Sequence, residues 1–261
     1  MPAGPAPGLT RDELLTLKRD LGDGYARLAR GAAAGEGIML QGGSLGIAGG
    51  AFPDLNWGDT WGAGAAQAFR RFVGRLRERG LPGVVTAFSD DEARIAPVAR
   101  ELGLAEPVGT APVMLCPRED ARPSTAGLIC RRLDGGDAEA FCRVIEGAFE
   151  CPLEILRDVA GPAFLASPDV VFFGAQVEGE LAAVASTVRV GDTACVYAVG
   201  TLPALRRRGA GGAALSAGME YQLRRGAQRF ALQSSESGQP VYERLGFRTV
   251  ARITLWLVPE A

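Results

Sequence analysis

The chain has 261 residues, 47% hydrophobic and 22% charged, enough apolar length to build the core of one large domain or of two ordinary ones. Its 28 basic and 30 acidic residues leave a formal net charge of −2, so no field over the whole surface would recruit nucleic acid or an anionic membrane. Histidine is absent, which excludes Ser-His-Asp and Cys-His machinery, a histidine general base and any His-containing metal site, and leaves proton transfer to Asp, Glu, Tyr, Lys, Cys or water.

Residues 1–8, MPAGPAPG, carry neither the charged nor the apolar part of a signal peptide and read as a disordered leader. Thr10 and Glu13 form a capping-box pattern that opens an amphipathic helix running to about Arg30, with Leu14, Leu15, Leu17 and Leu21 on one side. Short strands are expected near 37–41 and 44–49, then an irregular segment, AFPDLNWGDTW. A helix over 63–79, a strand GVVTAF, a helix over 90–102 and a strand near 108–116 follow. The polar, proline-containing residues 118–125 read as a linker between residues 9–117 and 126–261. The second half reads as a strand at 126–133, helices over 137–148 and 153–160, and strands at 170–177, 181–190 and 193–200. A helix over 210–225, a strand at 229–234, a short helix at 238–245 and a strand around 248–258 complete it. Strands and helices interleave, so the class is mixed α/β.

The halves look like copies. VARELGL (98–104) aligns with VYERLGF (241–247), and GAGAA (62–66) with GAGGA (209–213), in the same order. The five cysteines, Cys116, Cys130, Cys142, Cys151 and Cys195, are odd in number and show no C-x-x-C spacing. That argues against a disulfide framework and against zinc, so no metal is expected and a reducing cytoplasm fits. No apolar run reaches the roughly 18 residues that a membrane span needs.

Three consecutive arginines, Arg206, Arg207 and Arg208, stand before Gly209, Ala210, Gly211 and Gly212. A helix starting near Gly209 leaves unpaired amides at its positive end, and glycines let a large anion approach them. The segment suits a phosphate or pyrophosphate, although a solvated basic turn has the same composition. A Walker loop fails for want of Gly-Lys-Ser/Thr. A Rossmann fingerprint is satisfied in letters by Gly209-x-Gly211-x-x-Ala214, but TLPALRRR separates it from the preceding strand.

Arg206-x-x-Gly209-x-Gly211 following VYAVGTLP, with PVYERLGF further on, resembles the GNAT superfamily of acyl-CoA-dependent N-acyltransferases. The resemblance covers residues 126–258 and extends to 36–116 as a degenerate copy. It implies a GNAT fold: a central, mostly antiparallel mixed sheet with splayed strands and flanking helices, preceded by a partial GNAT-like domain. It further implies that acetyl-CoA is the cosubstrate, with backbone amides from Arg207 to Gly212 on the pyrophosphate and Arg206 in the Arg/Gln position of the motif. Val199, Gly200 and Thr201 would pair with pantetheine, Gly200 at a bulge. Ser235 stands where many members carry an Asn, and Tyr242 where the general acid protonates the departing thiolate.

An incoming amine must lose a proton, and without histidine carboxylates are the candidates; Glu150 and Glu154 in FECPLEIL are singled out, with ordinary surface charge as the plainer reading. Tyr242 also reads as a half-buried aromatic of a short helix, and Cys195 as core packing. The implied activity is acetyl transfer to a small-molecule amine, the alternative being an acyl-CoA sensor or scaffold without turnover. Residues 149–168 and 51–61 are the expected acceptor-selecting segments, and a homodimer is compatible with the pattern.

Overall fold

The computed structural model describes residues 9–104 and 106–260; the leader expected at 1–8 lies outside them. Helix α1 (Arg11–Arg30) leads into β1 (Glu36–Leu40), β2 (Gly43–Ile47), β3 (Asn56–Thr60), α2 (Ala65–Glu78), β4 (Gly83–Phe88), α3 (Glu92–Glu101) and β5 (Gly109–Pro117). Then come β6 (Cys130–Arg132), α4 (Ala138–Phe149), α5 (Leu153–Val159), α6 (Pro162–Leu165), β7 (Val170–Val177), β8 (Glu180–Val190) and β9 (Thr193–Thr201). The chain ends through α7 (Ala210–Arg224), β10 (Arg229–Gln233), α8 (Gln239–Arg244) and β11 (Arg248–Val258). The mixed α/β class and the mostly antiparallel sheet with flanking helices are as expected.

Local chemistry sets the first element. The Glu13 amide donates to Thr10 Oγ1 at 3.2 Å and the Thr10 amide to the Glu13 carboxylate at 2.7 Å, closing the capping box. The apolar side of α1 buries Leu14, Leu17, Leu21 and Leu28. Lys18 is also buried there, because its ammonium meets Asp90 at 2.6 Å and lies over the Phe88 ring.

Three elements differ from the sequence reading. The segment read as irregular contains β3, whose Asn56, Gly58 and Asp59 are poor strand formers. Pairing with β2 on one side and β4 on the other overrides that propensity. The strand expected at 126–133 shrinks to β6, since Ala126 (φ 52°) and Gly127 (φ 77°) turn the chain first. The short helix α6 was not anticipated.

All strands join one 11-stranded sheet in the order β1-β2-β3-β4-β11-β5-β10-β9-β8-β7-β6. Each half ends by lending its last strand to the other: β5 pairs with β10, β11 with β4, and β5 and β11 lie antiparallel to each other. The order strand, helix, parallel strand, helix, strand recurs as β3-α2-β4-α3-β5 and β9-α7-β10-α8-β11. The two parallel pairs nevertheless differ. β3 and β4 stay paired from Trp57–Val84 to Thr60–Ala87, whereas β9 and β10 pair only from Thr193–Arg229 to Cys195–Ala231 and then part.

Trp256 on the exchanged strand β11 is 1% exposed and meets the Phe69 ring of α2 edge-on at 5.6 Å. Because β11 completes the first half's sheet, Trp256→Ala is expected to lower stability by about 3–5 kcal/mol. Urea denaturation should show one transition shared by both halves; two separated transitions would contradict the interdependence.

Candidate active site at the splayed strands

Beyond Cys195 and Ala231, β9 continues through Val196 to Thr201 with its β10-facing edge unpaired, while its other edge stays bonded to β8. On that side Ser186 opposes Tyr197 and Val184 opposes Gly200, so Ala198 and Val199 face Ala185 alone. This is a β-bulge, and Ala198 takes φ 50° to form it. The bulge was expected at Gly200. Gly200 has a different reason to be glycine: a Cβ there would stand 2.9 Å from Ala148 Cβ and 3.3 Å from Phe149 Cε2, so its bareness lets α4 press onto β9.

After Thr201 a 3-10 turn at Pro203–Leu205 carries the chain to the arginines. Arg207 (φ 64°) and Gly209 (φ 80°) are both left-handed, and Gly209 caps α7. None of the amides from Arg207 to Gly212 donates to an acceptor among the described residues; the first to do so is that of Ala213, to the Gly209 carbonyl. A run of free amides at a helix start is an anion cradle. The three guanidiniums are exposed: Arg206 Nε reaches the Thr201 carbonyl at 3.4 Å and Arg208 pairs with Glu178 at 2.6 Å. A Cβ on Gly211 would come within 2.8 Å of Thr201 Oγ1, so the cradle abuts the end of β9.

Tyr242 in α8 is half-buried against Phe247, ring centroids 5.9 Å apart, and its hydroxyl has no partner among the described residues. Burial pushes its phenol up to about 12. Gly238 connects it to the slot: a Cβ there would meet Tyr242 Cε2 at 3.1 Å and the hydroxyls of Ser234 and Ser235 at 3.3 Å. Ser235 is exposed, and its Oγ accepts the Gly238 amide at 3.1 Å.

Between the parted strands lies a cavity of about 400 Å³, floored by Val196, Tyr197 and Ala198 of β9 and by Gln233, Ser234 and Ser235 at the end of β10. Helices α4 to α6 contribute apolar groups such as Phe141, Phe149 and Phe164. The first half forms the opposing wall through Tyr25 of α1 and Phe52, Asp54 and Trp57 of the segment before and within β3. Asp54 lines the cavity beside these apolar groups while staying exposed to solvent, and partial desolvation raises its carboxyl from its ordinary value. Glu150 and Glu154 are exposed and do not line the cavity, although Phe149 and Cys151 beside Glu150 do. Cys195 is buried, its thiol raised by desolvation and pointed at the Asp20 carbonyl at 3.2 Å, the environment of an inert core cysteine.

Sequence reasoning missed Tyr25, Tyr197 and Gln233 as lining groups, whereas Asp54 lies in the segment 51–61 expected to select the acceptor. Tyr25 and Tyr197 sit in ordinary amphipathic patterns, and only the folding of α1 across the slot brings them together.

The corresponding place in the first half is closed. The Gly62 amide, at the aligned position of Gly209, donates to the Asp91 carboxylate at 2.7 Å, and Arg94 bonds both that carboxylate and the Gly62 carbonyl. Among the described residues no helix is long and apolar enough to cross a membrane, and no three His, Cys, Asp or Glu side chains cluster as metal ligands.

Residues 140–247 match the family model described as the acetyltransferase (GNAT) family. No curated protein matches by sequence. Among solved structures, a GCN5-related N-acetyltransferase from Kribbella flavida has a TM-score of 0.64 at 17% identity, over 94% of this chain and 95% of that one. An acetyltransferase assigned to the GNAT family from Novosphingobium aromaticivorans has 0.55 at 17%, over 86% and 91%. A tandem GNAT protein from the clavulanic acid biosynthesis pathway has 0.55 at 17%, over 83% and 78%. At such identities the likeness is one of fold. The family match covers residues 140–247 and the likeness of fold spans most of the chain; the chemistry of the matched family is acyl transfer from acyl-CoA.

Proposed function

We propose that the protein is an N-acetyltransferase that passes an acetyl group from acetyl-CoA to the amine of a small molecule, by direct attack in a ternary complex. The observation that carries this reading is the slot between β9 and β10, which has a row of free amides at one end and an apolar cavity at the other. The amides from Arg207 to Gly212 would hold the pyrophosphate, with Arg206, Arg207 and Arg208 adding screened charge around it. The open edge of Val199, Gly200 and Thr201 would pair with pantetheine, and Ser235 would hydrogen-bond to it from the opposite bank. These residues orient the thioester toward the cavity, where the amine waits.

The amine lone pair attacks the thioester carbonyl carbon, the C–S bond breaks with its electrons going to sulfur, and the nitrogen sheds one proton. A phenol held near 12 is a much weaker acid than a thiol of about 8.5, so Tyr242 acts first as a hydrogen-bond donor to sulfur as charge grows there. The thiolate leaves hydrogen-bonded to Tyr242 and takes its proton from water at neutral pH, and the proton lost from nitrogen passes to water. Glu150 and Glu154 face solvent on the segment whose Phe149 and Cys151 line the cavity, so any part they take in that loss runs through water.

Residues 126–261 would be the catalytic domain, 118–125 the linker and 9–117 a degenerate copy that binds no coenzyme A. Three features support this last point. The strands β3 and β4 do not part, the amide of Gly62 is already occupied by Asp91, and the residues aligned with the three arginines are Asp59, Thr60 and Trp61.

Tyr242→Phe is expected to lower kcat by about 100-fold or more while leaving the Kd for acetyl-CoA within error of the parent. Because the hydroxyl stays protonated until about pH 12, the parent should show no fall in rate from Tyr242 ionisation below pH 11 or so. Equal turnover in mutant and parent would remove Tyr242 from the reaction.

Isothermal titration of the full chain with acetyl-CoA should give a stoichiometry near one. Gly211→Val, checked by circular dichroism for an intact fold, should abolish that binding by crowding the cradle against Thr201. Two sites per chain, or normal binding by a folded valine variant, would place the cofactor elsewhere.

A further inference from the structure

We infer that the acceptor is a monoamine on an apolar body bearing no acidic group, with its ammonium paired to Asp54 of the first half. This rests on the acyltransferase reading of the slot, and it names the substrate class that the cavity selects. Among the described residues lining the cavity, Asp54 is the one charged side chain; no Lys or Arg is present. A carboxylate or phosphate on the acceptor would meet no cation in these walls and would face the like charge of Asp54, which is unfavourable. A polyamine or amino sugar would need several polar partners, and the walls are largely rings and aliphatic groups.

The two phenol hydroxyls in these walls are already engaged. The Tyr25 hydroxyl donates to the Asp54 carbonyl at 2.7 Å and that of Tyr197 to the Leu21 carbonyl, and the two rings pack edge to face with centroids 5.6 Å apart. With both phenol protons committed, what the tyrosines offer a ligand is chiefly ring surface, which suits an apolar body and a neighbouring cation. Behind them Asp59 is 2% exposed, and its Oδ1 accepts from Trp57 Nε1 at 3.0 Å, Gln233 Nε2 at 2.9 Å and Thr86 Oγ1 at 2.7 Å. Asp59 is thus a positioning residue: it fixes one lining group from each half of the chain, Trp57 and Gln233. Its own carboxyl is raised by desolvation, against the lowering effect of the bonds from Thr86, Gln233 and Trp57. Asp54 therefore gives an arriving ammonium its partner at the cavity wall, and the absence of any lining cation leaves an acidic group none.

The test is calorimetric binding to the full chain, with and without saturating coenzyme A, of three probes: 2-phenylethylamine, phenylalanine and spermidine. The first has the apolar body and one amine, the second adds a carboxylate, and the third has amines without a compact apolar body. 2-Phenylethylamine should bind at least about tenfold more tightly than either, and Asp54→Asn should weaken it about three- to fivefold without changing coenzyme A affinity. Asp54→Lys should reverse the preference, favouring 3-phenylpropionate over 2-phenylethylamine. Phenylalanine or spermidine binding as well as 2-phenylethylamine, or an Asp54→Asn variant that binds it like the parent, would overturn the inference. The underlying reading fails separately. If coenzyme A does not bind but the amine ranking holds, the acyltransferase proposal falls and the cavity inference stands; if acetyl-CoA is consumed with spermidine and 2-phenylethylamine is ignored, the reverse is true.

Discussion

The parting of β9 from β10 after three paired residues is the constraint on which the site depends. Parallel strands satisfy their backbone groups through each other, so separating them leaves donors and acceptors that a native fold must pair in another way. On β9 the outer edge stays bonded to β8, and the bulge at Ala198 takes up the change of direction. The inner edge remains open, continuous with the free amides at the start of α7. A pantetheine arm with its amides, ending in a pyrophosphate, has the chemistry to satisfy both. The same need does not arise between β3 and β4, which remain paired.

Holding such a slot open requires support from outside the strands themselves. The exchange of β5 and β11 supplies it: β10 is held on its far side by β5, a strand from the other half, so it can part from β9 without losing its place in the sheet. Across the mouth of the slot α1 is held by its capping box and its buried leucines, and by the Lys18–Asp90 pair. The first half is thus a structural part of the site whatever it binds itself. It brings Tyr25, Asp54 and Trp57 to the cavity, and through Asp59 it holds Gln233 on the opposite bank.

A protein with no histidine must conduct proton chemistry with groups whose ordinary values lie far from neutrality. Burial moves Tyr242 further away, to about 12, and partial desolvation moves Asp54 closer, by raising its carboxyl. The first shift makes a dependable hydrogen-bond donor over the whole physiological range. The second makes a carboxylate more basic than a fully solvated one, at the cavity where an ammonium would arrive. On the proposed reading, catalytic work would fall to fixed backbone dipoles, which need no titration, and to Tyr242 as a hydrogen-bond donor.

The sequence by itself determined the alternation of elements, the capped helix α1, the arginine-glycine turn at Arg206 to Gly212 and the tyrosine of α8, because each is written in local chemistry. A left-handed glycine before an alanine-rich helix, or a Thr-x-x-Glu pattern, acts over one turn of chain. Strand β3 escaped that reading because Asn56, Gly58 and Asp59 disfavour extended structure and are held in it by neighbours far along the chain. The exchange of β5 and β11, the true place of the bulge and the solvent-facing positions of Glu150 and Glu154 were likewise decided only in the tertiary structure. So was the cavity, which joins α1, the β3 segment, α4 to α6 and the parted strands; its Asp54 is an unremarkable turn aspartate until packing sets it at the cavity wall. Charge, capping and backbone freedom are properties of neighbours in sequence, whereas burial and the lining of a cavity belong to the packed sheet, and it is that lining that fixes which molecule the site can hold.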